Sequence, residues 1–259
     1  MLEPFVETQG EGADLVLLHG WGMHGEIFAG ILPFLTPYFR VHSIDLPGFG
    51  RSPVANRDYD LNYLVEQVMQ VAPPKSAWLG WSLGGMVAMA IASRFPEAVT
   101  QLVTVGASAK FIQDDTWQHA MTPDVLDSFA RFLKEDFHGT VIRFLAIQTL
   151  GSETQKDDLA LLKQLVFRHG EPAPRALIGG LDILQKADLR AEIKQIQCPW
   201  LRVYGRLDGL VPIKNDQNMQ SLAPQSESLV FAKASHAPFI SHRDQFVEKI
   251  GHFLNSSSR

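Results

Sequence analysis

The sequence is organised around the segment Gly80-Trp81-Ser82-Leu83-Gly84, in which one serine stands between two glycines. A strand-like apolar run precedes the segment and a helix-like apolar run follows it, so the order is strand, abrupt turn, helix. In so tight a turn, side chains two positions away on either side would clash, which accounts for the glycines. The pattern predicts a nucleophile elbow that presents the Ser82 hydroxyl. A plain glycine-rich turn with a surface serine is the alternative if the segment is taken alone.

Short apolar runs alternate with helix-like segments on both sides of the elbow. Continuous apolar runs of this length are typical of parallel strands that are covered on both faces. The runs lie at 14–18, 41–45, 76–79 and 102–106, and they resume at 200–205 and 228–232. Alternating strands and helices predict right-handed crossovers and a mostly parallel sheet flanked by helices, which is the α/β class.

The strand pattern stops between residues 107 and 197. That stretch contains only helix-like segments, near 123–137, 139–150, 153–168 and 174–187. A block of helices inside an α/β frame predicts an inserted helical cap (107–197), with residues 1–106 and 198–259 forming the core domain.

Length and composition exclude several classes of protein. The 259 residues suit one large domain or a core with an inserted lobe, and the net charge of −5 gives no reason to expect nucleic-acid binding. The one cysteine, Cys198, rules out an intramolecular disulfide framework and fits a reducing compartment. The first residues lack the basic and apolar segments of a signal peptide. No apolar run reaches the roughly 18 residues that a membrane span requires. We expect a cytoplasmic monomer without membrane contact, and a frayed tail at 255–259.

Candidate partners for Ser82 lie near the C-terminal end of the chain. A serine hydroxyl needs a base, and the base needs an orienting acid. Asp208 follows the apolar run at 200–205, and His236 follows the last such run. Both positions belong to the carboxyl edge of a parallel sheet, where the elbow also opens. Considered alone, an aspartate in a loop would be interpreted as a turn former and a histidine near the end of the chain as a surface residue. Together, however, Ser82, Asp208 and His236 have the chain order of an α/β-hydrolase triad.

An oxyanion hole needs a second donor besides the elbow. The segment His19-Gly20-Trp21-Gly22 follows the early strand, and the backbone N–H groups of Trp21 and Leu83 would form the pair of donors. We interpret His19 as a structural histidine that bonds nearby backbone. Trp21 and Trp81 flank the nucleophile and are expected to be pocket walls rather than core aromatics.

Neither a metal nor a cofactor is expected from the spacing of ligands. His236 and His242 are six positions apart, without a cysteine or carboxylate cluster at ligand spacing, so we expect no zinc site. The glycines at 20, 22 and 25 have the interval of a dinucleotide fingerprint, but the only acid at the right distance is Asp45. We interpret Asp45 as the end of its strand and reject dinucleotide binding.

With these motifs in place, the chain resembles an α/β-hydrolase over its whole length, and more narrowly the pimeloyl-[acyl-carrier-protein] methyl ester esterases of biotin synthesis. The segments that point to the narrower family are residues 144–149, in the helical insertion, and residues 231–242, around the candidate base. The other shared segments are common to the superfamily and lie at 17–22, 45–52, 78–85 and 204–212.

The resemblance implies a carboxylesterase that hydrolyses the methyl ester of a pimeloyl chain on acyl carrier protein and also acts on short acyl esters. It implies that Ser82 is the nucleophile, Asp208 the orienting acid and His236 the base. It places the oxyanion and substrate-binding groups at Trp21, Leu83, Phe144, Leu145, Ala146, Ile147 and Gln148.

Basic residues of the insertion are implied to contact the acidic carrier protein. Arg143 is retained, Lys156 stands where the family has arginine, and two further basic positions are Gly139 and Ala160 here. Acidic residues slightly outnumber basic ones in the insertion, so the docking surface must be a local patch. Lys163 lies seven positions after Lys156 on one helix face and is the third candidate. The alternative is a solvated helix face.

Other functions of the same fold stay open from the sequence. A C–C bond hydrolase or lactonase would share the triad and differ only in the shape of its pocket. A ligand receptor on a hydrolase scaffold would have no need of a complete triad with oxyanion donors. Dehalogenase and epoxide hydrolase chemistry is disfavoured, because Ser82 rather than an aspartate occupies the elbow.

Overall fold

A seven-stranded sheet forms the centre of the computed structural model, which describes residues 2–256. The strands follow the order β1-β3-β2-β4-β5-β6-β7, with β1 antiparallel to β3 and every other neighbouring pair parallel. They are β1 (Val6–Gln9), β2 (Ala13–Leu18), β3 (Phe39–Ile44), β4 (Ser76–Trp81), β5 (Val99–Val105), β6 (Trp200–Gly205) and β7 (Glu227–Phe231).

The strand order reverses between β2 and β4. The chain leaves β2 for β3 on one side and returns to β4 on the other, so β2 and β4 are neighbours although β3 lies between them in sequence. In open α/β sheets, ligands bind at such a reversal, beyond the carboxyl ends of the strands. The segments that follow β2 and β4 are residues 19–22, with the candidate oxyanion donor Trp21, and the elbow at Ser82.

Burial explains which strands the sequence predicts. Every residue of β4 and of β6 is buried, in agreement with their continuous apolar runs. The edge strand β1 was not predicted, because it has four residues, Val-Glu-Thr-Gln, of which two are exposed. A short polar strand at a sheet edge carries no hydrophobic pattern.

Ten helices surround the sheet within the described part of the chain. They are α1 (Leu32–Leu35), α2 (Leu61–Val71), α3 (Leu83–Arg94), α4 (Pro123–Glu135), α5 (Phe137–Thr149), α6 (Gln155–Val166), α7 (Pro174–Lys186), α8 (Asp216–Leu222), α9 (Pro238–Ser241) and α10 (Arg243–Ser256). None of them, over residues 2–256, has both the length and the apolar character needed to cross a membrane. The tail expected to fray lies partly outside the described residues, at 257–259.

Helices α4 to α7 form the insertion between β5 and β6. Residues 107–197 contain no strand, only isolated bridges such as Ile112 with Met121. The four helices agree with the predicted segments to within two residues at each end. The start of α5 is set by Asp136, whose carboxylate accepts the N–H of Gly139 and caps the helix. The division into a core and a cap remains our proposal for how the chain is organised.

Candidate active site

Ser82 stands on a strained backbone between β4 and α3. Its φ of 55° and ψ of −118° make it the one non-glycine residue with positive φ in the described range 2–256. The conformation is held from both sides, since Ser82 N donates to Val105 O at 2.9 Å and Ser82 O accepts from Met86 N at 3.1 Å. Strain of this kind persists only where the surroundings enforce it, and it clusters at functional sites.

The two glycines of the elbow are required by close backbone contacts. A Cβ on Gly80 would lie 2.4 Å from the carbonyl oxygen of Gly84, and a Cβ on Gly84 would lie 2.3 Å from that of Leu18. Both neighbours are backbone atoms and cannot move aside. Glycine at both positions therefore allows α3 to start directly against β2 and β4, which is the physical reason for the spacing around Ser82.

Asp208 and His236 form a buried pair at the carboxyl edge of the sheet. His236 Nδ1 lies 2.7 Å from Asp208 Oδ2, and both side chains are inaccessible to solvent. The other oxygen, Oδ1, accepts the N–H groups of Leu210 at 2.8 Å and Val211 at 3.0 Å. The backbone thus fixes the carboxylate, and the carboxylate fixes the imidazole. We assign the ring proton to Nδ1 from this hydrogen bond, which leaves the lone pair of a neutral ring on Nε2.

The second nitrogen of His236 has no hydrogen-bond partner among residues 2–256. Nε2 is buried and makes no hydrogen bond to any residue in the described range, the Ser82 hydroxyl included. The structure therefore joins Asp208 to His236 but does not join His236 to Ser82. Hydrogen bonds between catalytic groups are often long without substrate and tighten on binding. Trp81, the residue before Ser82, contacts the candidate base directly, since its indole Nε1–H donates to His236 O at 3.0 Å.

Trp21 and Leu83 carry the two candidate oxyanion donors. Leu83 is the first residue of α3, so its N–H has no partner inside the helix and lies at the positive end of the helix dipole. Trp21 follows β2, and its indole N–H donates to Leu177 O in α7 at 2.9 Å. A Cβ on Gly180 would lie 2.6 Å from the Trp21 ring, so α7 fits closely against it.

His19 holds the segment before Trp21 in place. Its Nε2 accepts the N–H of Leu46 at 2.8 Å, and its Nδ1 donates to the carbonyl oxygen of Gly20 at 2.8 Å. Burial lowers the pKa of His19 to about 4, so the ring is neutral at physiological pH. Both contacts are to backbone, as expected for a structural histidine.

Residues 144–148 of α5, the candidate wall of the acyl-binding site, contact both Trp21 on the oxyanion side and the candidate base His236. The Phe144 ring lies 4.6 Å from the Trp21 ring, and Gln148 O accepts the backbone N–H of His236 at 3.0 Å. Gln148 Oε1 is buried and has no partner in residues 2–256. Leu145 is fully buried, whereas Ala146 and Ile147 are half-buried.

The three candidate docking residues lie on the surface of the insertion. Arg143 is exposed and lies 3.7 Å from Asp136, with its guanidinium over the ring of Phe132. Lys156 and Lys163 are exposed on α6, which packs against α5.

Sequence reasoning missed a cluster away from these residues. One possible ligand atom from each of His24, Glu26 and His169 lies within 4.8 Å of the other two. The sequence contains only the close spacing of His24 and Glu26 as a signal, because His169 comes from a distant part of the chain.

A model of the alpha/beta hydrolase fold matches residues 15–243. The chain belongs to the α/β-hydrolase family. Among curated relatives, the pimeloyl-[acyl-carrier protein] methyl ester esterase of Photobacterium profundum is 49% identical over 248 residues, which cover 96% of this chain and 97% of that protein. The enzyme of the same name from Aeromonas hydrophila is 48% identical over 250 residues, covering 96% and 98%. The chain is therefore a member of this esterase family, as the motifs predicted.

Solved structures agree on the fold. An esterase from Exiguobacterium antarcticum superposes with a TM-score of 0.88 at 23% identity, covering 98% of this chain and 96% of that one. An enol-lactonase from Burkholderia xenovorans reaches a TM-score of 0.82 at 19% identity, covering 98% and 96%. The predicted α/β-hydrolase fold is confirmed. Because an esterase and a lactonase share it, the fold alone does not select the reaction.

Proposed function

We propose that this protein is a serine carboxylesterase that hydrolyses the methyl ester of pimeloyl-[acyl-carrier protein] in biotin synthesis and also cleaves short acyl esters. The observation that carries the chemistry is the buried Asp208–His236 pair, at the sheet edge where the strained Ser82 elbow opens. The substrate is that named for relatives of nearly half identity over almost the full chain.

In the acylation step, Ser82 Oγ attacks the carbonyl carbon of the methyl ester while His236 Nε2 takes its proton. The negative charge that develops on the carbonyl oxygen is stabilised by the N–H groups of Trp21 and Leu83. When the tetrahedral intermediate collapses, the C–O bond to the methoxy group breaks, and His236 returns the proton to form methanol. The acyl chain is then esterified to Ser82.

In the deacylation step, His236 takes a proton from water, which attacks the acyl carbon. The intermediate collapses to the free carboxylic acid, and Ser82 regains its proton from His236. Asp208 stays ionised throughout, holds the proton on Nδ1 and stabilises the imidazolium. The C-terminal end of α5 adds to this effect, because Gln148 O lies at the negative end of the helix dipole and bonds the His236 backbone.

The acyl chain would run along α5. Phe144 offers an apolar ring beside Trp21, and the unpartnered Oε1 of Gln148 can accept a hydrogen bond from a polar group. Leu145, Ala146 and Ile147 complete the wall that the family resemblance implies.

Acyl carrier protein is the partner that the relatives' name implies. We propose that Arg143, Lys156 and Lys163 form a basic docking patch on α5 and α6. All three are exposed, and opposite charge across such an interface mainly raises the rate of encounter. We also propose that the protein acts as a monomer in the cytoplasm. Its single cysteine, Cys198, supports a reducing compartment, and burial raises the pKa of its thiol to about 11, which makes it unreactive.

The decisive experiment combines a defined substrate with genetic rescue. The purified protein is incubated with pimeloyl-[acyl-carrier protein] methyl ester, and mass spectrometry of the carrier detects loss of the methyl group. In parallel, the gene is introduced into a biotin-requiring strain that lacks this esterase, with Ser82→Ala as the control. Hydrolysis of p-nitrophenyl acetate without demethylation or rescue would mean an esterase for another substrate. Hydrolysis of neither ester would point to a receptor.

A further inference from the structure

Three side chains outside the proposed reaction meet where the insertion joins the core. His24 and Glu26 lie at the start of the 3₁₀ turn Gly25–Phe28, which follows β2, and His169 follows α6. The rings of His24 and His169 have their centroids 4.8 Å apart at an interplanar angle of 75°. One nitrogen or oxygen from each of the three residues lies within 4.8 Å of the others.

His24 is buried, and one of its ring nitrogens has no hydrogen-bond partner in the described part of the chain. Its Nε2 donates to the carbonyl oxygen of Leu165 at 2.8 Å, which we use to assign the ring proton. Its Nδ1 is inaccessible and makes no hydrogen bond within residues 2–256. Because the proton of the neutral ring is on Nε2, the lone pair is on Nδ1. A buried lone pair without a donor is uncommon and calls for a partner that the protein itself does not supply.

Glu26 supplies the negative charge of the cluster, and one of its carboxylate oxygens lies within 4.8 Å of a ring nitrogen of His24. Its Oε1 lies 2.5 Å from His169 Nε2, and its Oε2 accepts a hydrogen bond of 2.9 Å from Arg168. A carboxylate that accepts hydrogen bonds from a histidine and an arginine is favoured in its charged form.

We propose that His24, Glu26 and His169 bind one divalent transition-metal ion of the zinc type. Two imidazoles and one carboxylate are a ligand set that zinc accepts, with its fourth position left for water. The bond from His24 Nε2 to a backbone carbonyl is the usual way in which a ligating histidine is oriented. The ion replaces the proton between His169 and Glu26, so both groups direct a lone pair at it.

The surrounding charges make this a reversible site. Arg168 bonds Glu26, and Arg51 lies 3.8 Å from the same carboxylate, so two cations repel the ion. Asp45 compensates for part of this charge by pairing with Arg51 at 2.9 Å. The affinity is therefore below that of closed structural zinc sites. Because His24 and Glu26 precede β3 and His169 follows α6, the bound ion links the core to the insertion and stabilises the folded chain by mass action.

The test uses the full chain without a histidine tag, stripped with chelator and titrated with Zn²⁺ alone by calorimetry. The wild type should show one saturable site. Loss of a hydrogen-bond partner of a ligating histidine typically lowers metal affinity by roughly 10- to 100-fold. His169→Gln removes a ligand itself, so it should lower the affinity for Zn²⁺ by more than that. His138→Gln is the matched control, because His138 pairs with Glu171 at 3.1 Å on the surface and is not part of the three-residue cluster. It should bind Zn²⁺ like the wild type.

A second pair of measurements keeps folding and binding apart. Glu26→Gln should also lose the site, and Co²⁺ should give the visible absorption of a tetrahedral complex in the wild type but not in either variant. Circular dichroism verifies that both variants are folded, which is expected because neither side chain is fully buried. If the wild type shows no saturable phase, or if both variants bind Zn²⁺ as it does, the three residues form only a polar contact between core and insertion and the proposal is wrong.

Discussion

The carbonyl oxygen of Gln148 accepts a hydrogen bond of 3.0 Å from the backbone N–H of His236. This hydrogen bond attaches the last turn of α5 to the loop after β7 that contains His236, the candidate base. The same arrangement recurs on the oxyanion side, where Leu177 O in α7 accepts the indole N–H of Trp21. Helices of the insertion therefore position groups on both sides of Ser82, besides covering them.

Ser82→Ala should abolish ester hydrolysis and leave the fold intact. Alanine fits the strained turn, but the acyl-enzyme needs the hydroxyl, and loss of such a nucleophile costs roughly 10⁴- to 10⁶-fold in rate. Steady-state hydrolysis of p-nitrophenyl acetate measures the loss. Ser93→Ala, which removes a hydroxyl bonded to Ala90 O within α3, is the control and should keep full activity. A Ser82→Ala enzyme with a tenth of wild-type activity would remove Ser82 from its role.

Asp208→Asn should lower kcat by about 10⁴-fold with little change in KM. The amide oxygen can still accept the N–H groups of Leu210 and Val211, so the loop should keep its shape. The amide NH₂ then faces His236 Nδ1 and favours the tautomer with the proton on Nε2. That tautomer has no lone pair on Nε2 to accept the proton of Ser82. Stopped-flow or steady-state kinetics separates kcat from KM. A variant that kept its turnover and lost only affinity would show that another acid orients His236.

Gly84→Ala and Gly251→Ala should change stability in opposite directions. A Cβ on Gly84 would lie 2.3 Å from Leu18 O, and this clash should cost at least about 3 kcal/mol of unfolding free energy or prevent folding. A Cβ on Gly251, within α10, would meet no atom within 4 Å. Alanine there should stabilise by about 0.5–1 kcal/mol, because glycine is a poor helix former. Urea unfolding of the two variants tests this; equal stabilities would contradict the close packing of α3.

Reversing the charges of Arg143 and Lys156 to Glu should raise KM for the carrier-bound methyl ester and spare a small p-nitrophenyl ester. Added salt should also reduce the wild-type preference for the carrier-bound ester over the small one. The charges are exposed, and at physiological ionic strength charges separated by more than about 8 Å are largely screened from each other. Lys249→Glu, an exposed reversal on α10, is the control and should change neither substrate.

Adding Lys163→Glu to that double variant tests the third patch residue. A further rise in KM supports a patch rebuilt around Lys163, and no rise supports docking through Arg143 and Lys156 alone. If the double variant handles both substrates like the wild type, the patch is only a solvated face.

Acid should destabilise the fold through His19. The folded pKa is about 4, against 6.5 ordinarily, so below about pH 6.5 the unfolded chain binds a proton that the folded chain cannot. The free energy of unfolding therefore falls as the pH drops toward 4, and this residue accounts for about 2 kcal/mol between pH 7 and pH 5. His19→Gln should be less stable at pH 7 but should lose about 2 kcal/mol less on acidification. Urea titrations at both pH values measure the difference, and equal losses would contradict the buried neutral state.

The nucleophile elbow is the part of the site that local sequence predicts best. The close contact between Gly80 and Gly84 is a property of one short turn, so the same residues that form it also reveal it. The central strands are predicted for a similar reason, since burial on both faces leaves a continuous apolar run. The chain order of Ser82, Asp208 and His236 then follows from which strands end at one edge of the sheet.

Tertiary structure alone decided the contacts between distant segments. The bond from Gln148 to His236 joins two backbone groups and depends on no side chain, so no residue pattern marks it. Glu26 and His169 are 143 positions apart, and their meeting depends on how α6 packs against the turn after β2. Hydrophobic periodicity and local sterics act between near neighbours in the chain, and they fix elements and turns. The distances between those elements are set by packing of the whole core, which the linear spacing of residues does not record.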